Sequence, residues 1–205
     1  MREEIHDVAP GLWIWRLPRP GWRPDVDWPE LVTSTCVESG GEVAVLDALA
    51  PPEGSAVWER LDATPPTMAV VLKPDHVRDV DLFVRRYRVR AFGPWLFWRS
   101  DIPETELEHV EPGSELPGGL LALYDGRGRN ETPLWLPEQR ALVFADALTA
   151  PEGELRVWDT PQLKRALPAL RELLELPFEH VIVSHGDPVH DRAAYERALE
   201  LPRYG

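Results

Sequence analysis

Asp75 and His76 stand side by side just past the apolar run Met68-Ala-Val-Val-Leu72, after Lys73 and Pro74. Both are good ligands for a divalent metal ion. The run reads as a buried strand that Pro74 stops, because proline cannot donate to a ladder and fixes its own φ. A helical pattern follows, with Val77, Val80, Val84 and Tyr87 on one face. Two more strand-like runs end the same way: Leu142-Val-Phe-Ala leads to Asp146, and Val181-Ile-Val-Ser leads to His185. Two imidazoles and two carboxylates on three strand ends suit zinc, iron or manganese. Loops at strand ends carry chemistry on a rigid base. Each residue alone also reads as a turn residue or helix cap, and His185-Gly186 as a satisfied loop histidine.

The elements that would position these residues alternate strands and helices. Val8 to Leu17 alternates apolar and polar residues, as a half-buried strand does. Pro18 to Pro29 is an irregular loop, rich in proline, arginine and tryptophan, placed to lie over the site. Leu31 to Val37 and Val43 to Leu46 form a hairpin through Gly40-Gly41, the latter strand ending at Asp47. A short helix over Ser55 to Leu61 is capped from Ser55. After strand 68–72 and a helix from about Arg78 to Arg88 comes a short strand, Val89 to Phe92. Trp95, Phe97 and Trp98 make an aromatic patch that reads as core filler before pocket wall. Ile102 to Leu116 is acidic and irregular, or an edge strand. Leu120 to Tyr124 is a strand, and Pro133 to Leu136 pairs with Ala141 to Phe144 as a hairpin delivering Asp146. Pro161 to Leu176 is the clearest helix, His180 to Val183 the last buried strand, and Arg192 to Leu199 the closing helix.

At 205 residues the chain is expected to form one domain, residues 1–205, with a sizeable core. The net charge of −13 argues against a nucleic acid or an anionic membrane as partner, and equally serves solubility. No apolar run has the length of a membrane span, the N-terminus lacks the apolar segment of a signal peptide, and Cys36 stands alone. A reducing cytoplasm fits those features. Ser34 and Ser184 lack a nucleophile elbow, and there is no phosphate-binding or dinucleotide fingerprint. His190 reads as surface, His109 and His180 as structural residues without partners, and Cys36 as a small core residue.

The order of the three strand ends resembles the metallo-β-lactamase superfamily, which includes glyoxalase II-like hydrolases. Val43-Ala-Val-Leu-Asp47 is similar to the early strand ending in aspartate. Leu72 to Pro94 follows the metal-motif strand, helix and next strand without gaps. Leu142-Val-Phe-Ala-Asp146 is similar to the strand ending in Gly-Asp, and Val181-Ile-Val-Ser-His185-Gly186 to the late strand ending in His-Gly. The resemblance implies an αββα four-layer sandwich, two mixed sheets with helices outside. It also implies two metals that activate a water. The family's His-x-His-x-Asp-His reads here Val71-Leu72-Lys73-Pro74-Asp75-His76. One metal site has therefore lost its histidines to Val71, Lys73 and, counting back from Leu136-Pro137, Arg127. The other keeps Asp75, His76, the bridging Asp146 and His185.

Two readings follow. In one, the protein is a hydrolase of an ester, thioester or phosphoester with a single divalent metal (zinc, iron or manganese) on Asp75, His76, Asp146 and His185. Asp146 there ligates or orients the water, and Lys73 steadies an oxyanion or a phosphate oxygen. In the other, Lys73 and Arg127 neutralise Asp75 and Asp146. No metal is then needed, and the protein binds an anionic ligand or acts as a scaffold.

Overall fold

Pro10-Gly11 breaks the alternating run of Val8 to Leu17 into a hairpin, where the sequence pattern predicts one strand; Gly11 takes φ +71° at the turn. The two strands are β1 (Glu4–Ala9) and β2 (Leu12–Pro18). The structure, a computed structural model, describes residues 3–26, 28–97, 99–124, 131–151, 153–161 and 163–205. β3 (Leu31–Ser39) and β4 (Glu42–Leu46) form the expected Gly40-Gly41 hairpin. Helix α1 (Ala56–Ala63) is capped by Ser55, whose hydroxyl accepts from the Val57 amide at 3.0 Å. β5 (Met68–Val70), α2 (Val80–Tyr87), β6 (Arg90–Gly93) and the edge strand β7 (Glu108–His109) follow. The seven strands form one sheet in sequence order, antiparallel through β4 and parallel from β4 to β7.

The second sheet holds β8 (Glu115–Leu116), β9 (Leu120–Ala122), β10 (Leu134–Leu136) and β11 (Ala141–Val143). Short strands β12 (Leu148–Thr149) and β13 (Arg156–Val157) pair separately, beyond what the sequence pattern predicts. Helix α3 (Leu163–Glu172), β14 (His180–Ile182) and α4 (Arg192–Ala198) complete the chain. The second sheet runs β14-β11-β10-β9-β8, with β14 parallel to β11.

The two sheets pack face to face. Ile14, Leu46, Val70 and Leu72 of the first meet Leu120, Leu134, Leu136, Val143 and Ile182 of the second in one buried cluster. On the outer face of the first sheet, Trp15, Val45 and Ala69 pack under Val57 and Leu61 of α1 and Val80 and Phe83 of α2. On the outer face of the second, Leu142, Phe144 and Val181 pack under Leu170 of α3 and Tyr195 of α4. Each fully buried large apolar side chain contributes ~1.5–3 kcal/mol. Helix, sheet, sheet, helix is the predicted αββα sandwich. Its strands alternate faces between the shared core and a helix layer, so both faces of each sheet are apolar.

Three side-chain readings need correcting: His109, expected to lack a partner, meets the Trp95 ring edge-on, with centroids 5.3 Å apart. Trp95, on the long connection between β6 and β7, is 74 % exposed and lines an open cavity, so it is pocket wall rather than core filler. His180 does have a partner: its Nδ1 lies 2.9 Å from Nδ1 of His190, because Val181 pairs across to Val189 and brings the two rings to one side. His190 is exposed, as expected, and Cys36 is buried. Trp98 and Arg127 lie outside the described residues.

Candidate metal centre

The three predicted strand ends meet. β5 extends past Val70 through the amide of Val71, which donates to Phe92 at 2.8 Å, and Thr132 donates to the carbonyl of Leu72 at 2.8 Å. The chain then turns at Lys73 to His76, closed by His76 N–H to Lys73 carbonyl at 2.9 Å. β11 delivers Asp146, and β14 delivers His185. Gly186 follows with φ +126°, where a Cβ would come within 2.2 Å of the Ala150 carbonyl oxygen; only glycine lets the chain pass there. The adjacent Ala150 amide donates to the His185 carbonyl at 2.7 Å.

One donor atom each from His76, Asp146 and His185 lies within 4.8 Å of the others, all three residues being buried. Asp146 Oδ1 is 3.4 Å from Nε2 of His76 and 3.4 Å from Nε2 of His185. That separation is longer than an ordinary N–H···O bond. It matches the edge of a tetrahedral site, since donors ~2.0–2.1 Å from a zinc stand ~3.3–3.4 Å from one another. His76 Nδ1 lies 2.8 Å from Asp47 Oδ2, so a proton held on Nδ1 leaves the Nε2 lone pair facing Asp146. The residues present thus fit a single divalent ion.

Lys73 occupies the other side of Asp146. Its ammonium, on a side chain only 3 % exposed, lies 2.5 Å from Asp146 Oδ2 and 2.6 Å from Asp75 Oδ2. Asp75 is therefore turned to Lys73, at the rim of the three-donor cluster, with its side chain 36 % exposed. Its second oxygen, Oδ1, has no hydrogen-bond partner among the described residues.

Charge dominates the site. Burial works against a charged Lys73, yet Asp146 and Asp75 raise its pKa above the ordinary lysine value. Burial works against protonated His76 as well, but Asp146 and Asp47 lift it to about 9. Burial would push Asp146 up; His76, His185 and Lys73 outweigh it and hold Asp146 well below the usual carboxylate range. His185 goes the other way, lowered by burial despite Asp146. Without an ion, the centre is thus an ammonium and an imidazolium against the carboxylates of Asp47, Asp75 and Asp146, with Arg78 beside them. The guanidinium of Arg78 donates to the carbonyls of Thr33 and Asp47 and, at 3.1 Å, to the Ser184 hydroxyl, tying the ends of β4 and β14 to β3. Arg78 and Asp47 both sit at φ 46°, in the left-handed region that non-glycine residues seldom adopt.

Three supporting residues are not apparent from the sequence pattern. Asp47 was legible as a strand end, but not its bonds to His76 and to the Leu72 amide at 2.8 Å. Arg78 reads as a helix residue. Glu131, 1 % exposed, accepts from three consecutive amides, Ala145, Asp146 and Ala147, at 2.7–2.8 Å. Burial and Asp146 raise the Glu131 pKa to about 7 against the pull of those amides. The only signal for it is an acidic residue directly before Thr132-Pro133 and a buried strand. The loop 18–29 does reach the centre: the Trp28 ring lies 5.5 Å from the ring of His185, with Trp158 at 6.0 Å. An open cavity of about 990 Å³ lies elsewhere, under the β6–β7 connection beside Trp95, and no residue of this centre lines it.

Compared by sequence, the chain matches no family model and no curated protein. Solved structures do match it over almost their whole length. A metallo-beta-lactamase from Pontibacter korlensis is 18 % identical with a TM-score of 0.68, covering 98 % of each chain. FIM-1 from Pseudomonas aeruginosa, solved in a mono-zinc form, is 18 % identical with a TM-score of 0.71, covering 98 % of this chain and 95 % of that one. The DIM-1 metallo-beta-lactamase is 14 % identical with a TM-score of 0.72, covering 98 % and 97 %.

The chain has the metallo-β-lactamase fold.

Of the four residues that the sequence resemblance names as ligands, His76, Asp146 and His185 come together past the ends of β5, β11 and β14, and Asp75 is not in that group. Lys73 stands at a position where that resemblance expects a histidine. No helix among the described residues is long and apolar enough to cross a membrane.

Proposed function

We propose that the protein is a hydrolase that works with one divalent metal, held by His76, Asp146 and His185, with Lys73 as the second cation of the site. The observation that carries this reading is the pair of 3.4 Å separations from Asp146 Oδ1 to the two Nε2 atoms. A bound metal would supply Lewis acidity and a water of lowered pKa. The chain's own residues do the rest. Asp47 keeps the His76 lone pair aimed inward. Asp146 faces the donor cluster with one oxygen and Lys73 with the other. Lys73 places a fixed positive charge beside the cluster, where it favours an anionic group or a developing oxyanion in an ester, thioester or phosphoester. Asp75 Oδ1, buried and without a hydrogen-bond partner among the described residues, leaves an acceptor open beside Lys73. The fold of FIM-1, solved with one zinc, is a precedent for a mononuclear site in this architecture.

A second reading rests on its own observation. Lys73 lies between Asp75 and Asp146 at 2.6 and 2.5 Å, within reach of a charge-assisted hydrogen bond to each, so these two carboxylates are compensated without a metal. The protein would then bind a small anionic ligand or act as a scaffold.

A hydrolysis screen separates the two. Nitrophenyl esters, a thioester and nitrophenyl phosphates are offered with zinc, manganese or iron in turn. The one-metal reading expects activity that a chelator removes and that disappears in His185→Ala and Asp146→Asn. Absence of turnover with every metal would leave the metal-free reading, and turnover unchanged in those variants would put the activity outside this centre and sink the one-metal reading. Lys73→Ala then decides what the lysine does there: loss of anion binding marks a ligand site, loss of stability alone a scaffold.

A further inference from the structure

Asp146 must meet three partners at once: Lys73 on one oxygen and the two histidines on the other. Its side chain has only two torsions, so the outcome depends on where the main chain puts its Cα. β11 ends at Val143, and its pairing with β14 runs on through the Phe144 amide, which donates to the Ile182 carbonyl at 2.9 Å, and through the Ala145 carbonyl. The carbonyls of Ala145 and Ala147 are used by the amides of Ser184 and Trp158, at 3.2 and 3.1 Å. The amides of Ala145, Asp146 and Ala147 go instead to a side chain from another loop. Glu131 Oε1 accepts the first at 2.8 Å, and Oε2 accepts the second and third at 2.8 and 2.7 Å.

We propose that Glu131 is the positioning residue of this centre, a buried carboxylate that fixes the turn bearing Asp146 and so sets the geometry of His76, His185 and Lys73 around it. Three converging amides form an anion cradle, and here the anion is built into the chain. Glu131 is 1 % exposed, so it acts from behind Asp146 rather than on a substrate. A glutamine has nearly the same shape but one acceptor oxygen, and its NH₂ would oppose an N–H donor. At least one amide is then left unpaired, and the turn must shift.

The inference rests on the one-metal reading only for its metal readout, so two measurements are made on Glu131→Gln. The first is the ¹⁵N and ¹H resonances of the His76 and His185 rings in metal-free protein. The second is zinc affinity by calorimetry. Leu61→Ala, a cavity variant under α1 far from the turn, controls for lost stability alone. The proposal expects shifted ring resonances and zinc binding weaker by about 10–100-fold, the usual size of an outer-shell effect, with neither change in Leu61→Ala. Wild-type resonances and an affinity within about twofold of wild type would overturn it. If wild-type protein takes up no zinc, manganese or iron, the one-metal reading fails, and the ring resonances alone decide the role of Glu131. Should Glu131→Gln not fold, Glu131→Asp keeps the charge but falls one methylene short, and wild-type resonances in that variant would overturn the proposal equally.

Discussion

Replacing Lys73 by methionine removes one charge and little volume. In metal-free protein it leaves Asp75 and Asp146 facing each other without the ammonium that now lies 2.6 and 2.5 Å away. At an effective dielectric of ~20 each contact is worth several kcal/mol of gross attraction. The cost of desolvating the ions offsets much of that in the intact protein, but not in the variant, where the buried carboxylate remains. Breaking one side of such a pair costs ~3–5 kcal/mol. For a chain of 205 residues this is a fall of about 6–20 °C in Tm. The penalty has a pH signature. Asp146 is held well below the ordinary carboxylate range, so its stabilisation is present above the unfolded pKa of ~3.9 and is lost only as pH falls through the lower folded value. Zinc should restore part of the loss, ~2.7 kcal/mol at a hundredfold excess over Kd. It should also bind the variant more tightly than wild type, because a like charge has gone. Urea unfolding at pH 7 with and without zinc measures both effects. A loss under about 1 kcal/mol in metal-free Lys73→Met would refute the claim that the ammonium compensates these carboxylates.

Asp47→Asn should lower the His76 pKa from about 9 and flatten the stability profile. In wild type the raised His76 contributes up to ~3 kcal/mol, fully present below pH ~6.5 and lost as pH rises through about 9. An imidazole in the variant still titrating near 9 by NMR would contradict the role given to Asp47. Arg78→Ala, which frees the acceptors at Thr33, Asp47 and Ser184, should destabilise by ~3 kcal/mol or more; a change below about 1 kcal/mol in urea unfolding would count against that role. Burial pushes the Cys36 thiol up to about 12, so a thiol reagent should label it only after unfolding; rapid labelling of native protein would show that the interior there is open.

The strand ends were legible because each ligand-type residue follows a run of buried β-branched or aliphatic residues, and such a run has few alternatives to a core strand. Periodicity gave the apolar face of α2, while the sandwich followed from the resemblance carried by the order of the strand ends. Such patterns failed where the deciding contact is remote in sequence. Glu131 meets Ala145 to Ala147 because β10 and β11 pair, and its place before Thr132-Pro133 and a buried strand does not say which amides it will meet. Arg78 leaves the helical pattern through a left-handed backbone that periodicity does not encode. Pro10-Gly11 was hidden inside an alternation that continues on both sides of the turn. Trp95 shows that an aromatic residue beside a strand need not be buried.

The most direct test of the one-metal account is the metal content of protein purified without chelator or metal-affinity tag. It is measured by elemental mass spectrometry in wild type, in His185→Ala and in His180→Gln, the last to discount the exposed His180–His190 pair. The account predicts about one zinc, iron or manganese per chain, kept in His180→Gln and lost in His185→Ala. No metal in wild type, and none taken up on adding zinc or manganese, would contradict it.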